Sequence, residues 1–282
     1  MYYFVGGFPR SGTTVMGNLL CGDSRANPPV SEVSYLEYLM FPFEAFSTSW
    51  EANYRGLFDD EDEFWEFHKS LLQKFLDHLQ DKHQCEHLVV KRPFLTRWFP
   101  TLAQMFEDAR FVICIRDPRD VIGSLKNVQR KHLQLSPEQR RANPYLEQSL
   151  LDFCYAYANC IEICVRAPKE VRDRFLFSKY EDLVTNLESS IEEIGKELGL
   201  ELGLEEEFWA MYSQAKTSNP FHSKWWGKPI TSANIGKYKS QLDSEEIEMV
   251  ELVCQLIMEG FGYEGVSRKM EGGTRRLRTP QG

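Results

Sequence analysis

No stretch of this 282-residue sequence approaches the apolar length needed to span a bilayer, and its opening MYYFVGGFPR lacks the apolar core and cleavage pattern of an export signal. The expected setting is therefore cytoplasmic, with no membrane span. Paired cysteines are also missing: the seven present are odd in number and show no CxxC spacing, which argues against a disulfide framework and for reduced thiols. Cys154, Cys160 and Cys164 fall on one expected helix and read as small buried apolar groups. The six histidines suggest no metal site, and none is expected. Positive charge is in the minority, 33 Lys and Arg against 42 Asp and Glu for a net charge of -9. Such a surface opposes general nucleic-acid binding and confines any polyanion to a local basic cleft.

What is present describes a well-packed α/β chain. Hydrophobic residues make up 42% and aromatics 13%, enough for one large core, so residues 1–265 are expected to form a single domain followed by a flexible tail at 266–282. Apolar runs at Tyr2–Phe8, His87–Lys91, Arg110–Arg116 and Arg174–Lys179 read as buried parallel strands. Helical periodicity separates them at Glu61–Gln84, Leu95–Phe106, Pro118–His132, about Pro144–Arg172 and Leu187–Leu198, with a last helix at Ser244–Glu259. Alternation of strand and helix implies a central parallel sheet covered on both faces, a three-layer α/β/α domain. Asn219–Leu242 has no clean period and reads as a long functional loop.

Two segments carry chemistry. GFPRSGTT, Gly7–Thr14, follows the first strand and opens a helix, and its glycines let successive backbone N–H groups curl around an anion at the helix N-terminus. A triphosphate loop has Lys after the second glycine. Here that position is Thr13, while Arg10 inside the loop offers a planar fork for a sulfate or bridging oxygen. The second segment, RDPRDVIGS, ends the third strand with Arg116 and places Ser124 on the next helix, both expected at the crevice beyond the strand ends. Asp117 admits another reading as a magnesium ligand, which with the loop frame would make the chain a P-loop nucleoside or nucleotide kinase. A nucleotide-binding module without chemistry is a third reading, disfavoured by Lys91 and nearby carboxylates.

Taken together, PRSGTT and R-D-P-R-D-x-x-x-S resemble the 5′-phosphosulfate and 3′-phosphate sites of sulfotransferases that use PAPS (3′-phosphoadenosine 5′-phosphosulfate). The likeness runs on through KRPFLTRWFPTLAQMFEDARFVICIRDPRD, FSKYEDLV and KPITSANIGKY. In motif pattern it is similar to protein-tyrosine sulfotransferases and related bacterial enzymes, which also have Arg in the loop. The resemblance implies a P-loop-like fold, PAPS as co-substrate, PAP as product and a hydroxyl-bearing acceptor. It implies that Arg10, Ser11, Gly12, Thr13 and Thr14 bind the phosphosulfate, Arg116 and Ser124 the 3′-phosphate, and Tyr180 the nucleotide, with Lys228 or Lys237 closing over it. Lys91 and Arg10 would meet the charge on the leaving oxygen, and Glu32, or alternatively Glu37, would take the acceptor proton. The tyrosine enzymes have Arg two residues after that Glu where this chain has Ser34, which favours a small-molecule acceptor over a peptidyl tyrosine.

Overall fold

The computed structural model describes residues 1–204 and 230–265. These fall into two compact units, one of Met1–Arg116 with Asn159–Ile235, the other of Asp117–Ala158 with the chain from Gly236 onward.

The first unit holds a four-stranded sheet of β1 (Tyr2–Gly7), β2 (Leu88–Lys91), β3 (Arg110–Ile115) and β4 (Phe175–Lys179). The spatial order is β2-β1-β3-β4, with every pairing parallel. All four expected strands form, each ending within two residues of the apolar run that announced it. Register sets Val5 beside Lys91 on one flank of β1 and Gly7 beside Cys114 on the other. The carboxyl ends of all four strands consequently reach the same edge.

Helices follow in chain order: α1 (Thr13–Leu20), α2 (Ser34–Met40), α3 (Pro42–Ser49), α4 (Glu61–His83), α5 (Phe99–Met105) and α6 (Pro118–His132). They continue as α7 (Pro137–Arg140), α8 (Leu150–Val165), α9 (Lys169–Arg172), α10 (Tyr180–Thr185), α11 (Leu187–Leu198), α12 (Ser244–Val253) and α13 (Gln255–Gly260). The helix expected across Pro144–Arg172 is broken into pieces. Ser149 caps α8 by accepting from the Asp152 N–H through its hydroxyl at 3.1 Å, and Pro168 stops the chain before α9. The last helix is likewise interrupted at Cys254.

Strand alternation sorts the core of the first unit. Tyr3, Val5, Val89, Val112 and Cys114 turn to one face, where Met16, Leu19 and Leu20 of α1 and Ile191, Ile194 and Leu198 of α11 cover them. Phe4 and Phe111 turn to the other, stacked at 5.1 Å, and Phe99 at the start of α5 sits 5.0 Å from Phe111. Each of the buried Val, Leu, Ile, Met and Phe side chains among these contributes roughly 1.5–3 kcal/mol by leaving water. That burial fixes the strand ends, and the strand ends carry the site.

Candidate active site

The loop after β1 has the curl expected of an anion cradle. Gly12 takes φ 100° and ψ 7° as it caps α1, a left-handed conformation suited to glycine. Arg10 is also left-handed, at φ 77°, unusual for a side chain of its size. Ser11 is fully buried and turns both its N–H (3.1 Å) and its hydroxyl (2.6 Å) onto the Phe8 carbonyl, so its side chain shapes the loop from within. Thr96 supports the loop's root: its Oγ1 accepts from the Gly7 N–H at 2.6 Å and donates to the Pro93 carbonyl at 2.6 Å. Thr96 escaped the sequence reading, because a threonine within an expected helix carries no local signal of a partner 89 residues away.

Arg116, just past β3, joins this loop to two other segments. Its Nη1 donates to the Arg10 carbonyl at 2.9 Å, its Nη2 donates to the Asn234 carbonyl at 2.7 Å, and its guanidinium lies 4.4 Å from the centre of the Tyr180 ring. Tyr180 opens α10 and packs on the loop so closely that a Cβ at Gly12 would stand 2.7 Å from its Cδ2. Arg10, Gly12, Arg116 and Tyr180, chosen from three separate stretches of sequence, are thus brought together.

Beside the loop, the end of β2 carries a four-residue charge network. The Lys91 stem lies across α1 at Gly17, where a Cβ would come within 3.3 Å of it, and its Nζ donates to Thr14 Oγ1 at 3.4 Å and Glu32 Oε1 at 3.2 Å. Arg92 donates from Nη1 to Glu32 Oε2 and from Nε to Glu37 Oε2, both at 2.6 Å. Partial burial pushes the Glu32 carboxyl up, but the neighbouring Lys91 and Arg92 charges and their hydrogen bonds outweigh it and hold the group below the usual carboxylate range. Glu32 keeps 36% of its side chain exposed, against 10% for Glu37. The structure thus brings Lys91 and Glu32 into contact. Arg92, named in no sequence-based role, bridges the two carboxylates between which the sequence left the choice open.

In the second unit the DPRD run, Asp117–Asp120, is built into its own helix. Asp117 caps α6 by accepting from the Arg119 N–H at 2.9 Å and pairs with the Arg119 side chain at 3.0 and 2.7 Å. Arg119 continues to Glu251 at 2.7 Å. This engagement opposes the magnesium-ligand reading of Asp117. Asp120 accepts from the N–H groups of Gly236 (2.7 Å) and Tyr238 (2.8 Å), bracketing half-buried Lys237 between two anchored neighbours. Ser124 is half-buried on α6. Lys228 lies outside the described residues. Among the described residues no three His, Cys, Asp or Glu side chains cluster as a metal site, no helix is long and apolar enough to cross a membrane, and all seven cysteines are free thiols.

A glycine-turned anion loop at the carboxyl edge of a parallel sheet, without the lysine of a triphosphate loop, defines an α/β protein of the P-loop-like class. The chain belongs to the sulfotransferase family, whose sequence pattern matches residues 3–205. It is 31% identical over 127 residues to protein-tyrosine sulfotransferase 1 of Danio rerio, a match covering 43% of this chain and 34% of that one. It is 31% identical over 136 residues to a Caenorhabditis briggsae chain assigned to the same enzymes, covering 45% and 43%. This chain thus spans less than half the length of those relatives. In structure it is similar to the sulfotransferase domain of the Synechococcus PCC 7002 olefin synthase, with a TM-score of 0.59, 19% identity and 94% of each chain covered. It also resembles mouse sulfotransferase SULT7A1, solved with PAP, with a TM-score of 0.50, 13% identity and coverage of 95% and 87%. At these identities the two structures carry the fold, and it is the expected P-loop-like α/β/α arrangement.

Proposed function

We propose that this chain moves a sulfuryl group from PAPS to an acceptor hydroxyl by in-line displacement without a metal, releasing PAP, and that 1–265 acts as one catalytic domain in a reducing, cytoplasmic setting. The observation that carries the reading is the placement of Lys91 Nζ, 3.2 Å from Glu32 and 3.4 Å from Thr14, at the mouth of a loop built for an anion. A cation and a proton acceptor side by side are the two groups that sulfuryl transfer requires. PAP in the SULT7A1 structure supports the choice of donor.

The chemistry follows from what each group offers. The loop from Arg10 to Thr14 would hold the phosphosulfate through the Arg10 guanidinium and backbone N–H groups other than that of Ser11, which the Phe8 carbonyl takes up, while Arg116, Ser124, Tyr180 and Lys228 or Lys237 would hold the rest of the nucleotide. The acceptor oxygen forms a bond to sulfur as the bond from sulfur to the phosphate oxygen breaks. Lys91 and Arg10 offset the charge gathering on that leaving oxygen, and Glu32 takes the acceptor proton. Drawing Lys91 toward the arriving phosphosulfate loosens its hold on Glu32, which raises the carboxylate's proton affinity as the donor binds. The acceptor is a hydroxyl compound, a small molecule in preference to a peptidyl tyrosine because Ser34 stands where the tyrosine enzymes have Arg.

Calorimetric titration with PAP in the presence of a chelator tests the donor site, and incubation with labelled PAPS and a panel of alcohols, phenols and peptides, read by mass, tests transfer. Tight PAP binding without metal and sulfated product from at least one acceptor class are expected. Tighter binding of ATP with magnesium than of PAP would overturn the proposal.

A further inference from the structure

Three clusters outside the assigned roles stand out: the aromatic packing around α3 and α4, the Asp120 bracket on Lys237, and the bridge made by Arg92. The last joins named atoms within a single unit and bears directly on the question the sequence left open.

We infer that Arg92 is a positioning residue, seated by Glu37 as a buried counter-charge, that holds the Glu32 carboxylate at the open side of the site and so divides the two glutamates into anchor and base. This rests on the sulfuryl-transfer reading for the meaning of "base", and on geometry alone for the division. An arginine fork presents several N–H donors in one plane, and here different edges serve different carboxylates, Nε toward Glu37 and Nη1 toward Glu32, at equal distances of 2.6 Å. The Arg92 guanidinium is steadied from another side by the Phe94 ring, 5.1 Å from its centre.

Exposure separates the partners. Glu37 sits on the inward side of α2 and is 10% exposed, out of reach of an acceptor; Glu32 is 36% exposed and also touches Lys91. A buried carboxylate beside a buried guanidinium is held as a neutral pair, whereas the second carboxylate on the same guanidinium feels only part of its charge. The charged groups facing this network among the described residues are Lys91 and Arg92 at the β2 end and Arg97 in the turn that follows, which lies near Glu37 and pairs with Glu44. The arrangement leaves Glu32 ionised, aimed, and restrained from collapsing onto Lys91 alone.

Two substitutions pull the Glu32 titration in opposite directions, which simple loss of structure would not do. Carboxyl-labelled glutamate NMR on the whole chain, with the Glu32 signal assigned through E32Q, reads that midpoint without any substrate. Arg92→Gln removes a positive neighbour, and the Glu32 midpoint is expected to rise by about one pH unit. Glu37→Gln removes the charge that neutralises Arg92, and the midpoint is expected to fall. Arg92→Lys keeps the charge without the double fork and serves if the glutamine variant does not fold; its midpoint should stay near that of the unaltered chain while the line broadens as Glu32 loses its fixed place. An unmoved midpoint in both charge variants, or shifts of the same sign, would overturn the assignment.

Transfer from labelled PAPS to p-nitrophenol, a generic phenol, reads the other layer. Arg92→Gln should lower kcat by roughly 10- to 100-fold with PAP affinity within about twofold, and Glu37→Gln should keep most turnover while moving the acid limb of the pH profile down. Loss of turnover in E37Q as complete as in E32Q would make Glu37 the base and sink the division of roles. Opposite midpoint shifts in a chain that transfers to no acceptor would sink the reaction and leave the anchor assignment standing.

Discussion

The Nη1 of Arg116 donates to the backbone carbonyl of Arg10 at 2.9 Å, so the arginine that closes β3 holds in shape the loop that closes β1. An arginine expected to meet a phosphate is also a structural brace for the loop proposed to hold the other one. Arg116→Ala should weaken PAP binding by roughly 2–5 kcal/mol, as removal of one partner of a buried charged contact does. Arg116→Lys should recover little, because an ammonium cannot reach the Arg10 and Asn234 carbonyls together and still lie flat on Tyr180. Calorimetry with PAP measures both, and near-native affinity in the lysine variant would remove the bracing role.

Arg10 separates cost from use. Its left-handed backbone carries roughly 1–2 kcal/mol of strain that glycine would not feel. Arg10→Gly should therefore be more stable than Arg10→Ala by about 1 kcal/mol in thermal or urea unfolding, while both lose PAPS turnover to a similar degree. Equal stability of the two variants would show that the loop relaxes when the guanidinium is gone.

Gly12 is constrained twice, by its φ of 100° and by the Tyr180 ring 2.7 Å from where a Cβ would sit. Gly12→Ala should lower stability by roughly 1–3 kcal/mol and abolish detectable PAP binding. Adding Tyr180→Ala should return part of the stability by opening space, without returning the affinity. Unfolding curves and PAP titrations on the single and double variants check this.

Glu32→Gln should cut turnover by about two to four orders of magnitude while PAP affinity stays the same or improves, since Lys91 is then released to the anion. Single-turnover transfer and PAP calorimetry on the same preparation read the two effects. Turnover near that of the unaltered chain would move the base elsewhere.

Asp23 offers a stability test away from the site. It is buried, accepts four hydrogen bonds from the Arg25 backbone (2.8 Å), the Arg25 guanidinium (2.9 and 2.5 Å) and the Glu201 N–H (2.7 Å), and its carboxyl is held far below the usual range, chiefly by Arg25. A carboxyl depressed by folding contributes stability above its unfolded value of about 3.9, and that contribution disappears as pH falls toward the folded value. Asp23→Asn should thus lose about 2 kcal/mol at neutral pH and less at each step below about pH 4, measured by urea unfolding across pH.

The sheet was legible because buried parallel strands are continuous apolar runs, as in RFVICIR, and the loop because glycine spacing around an anion is a local signal. The contact of Arg116 with Arg10 joins motifs that had been read separately. Arg92 could not be read in the same way. It stands beside Lys91 in VVKRP as one more strand-end cation, and its two partners come from a segment far earlier in the chain, so its role appears only when β2 pairs with β1. The Pro144–Arg172 stretch failed for the opposite reason: its helical period is real, but Ser149 and Pro168 cut it at points that periodicity does not register.

The place of β1 between β2 and β3 has a consequence for how the sheet edge that carries the candidate site comes into being. During synthesis β1 is made before either neighbour, and Lys91 and Arg116 each gain their position only when a distant strand docks against it. Such long-range closure is slow compared with local helix formation, and until it happens the apolar β1 offers unpaired edges to other chains. Competence should consequently arrive in one late step, with no half-assembled chain able to bind nucleotide, and the hazard of aggregation should be greatest in the interval before β2 and β3 are complete.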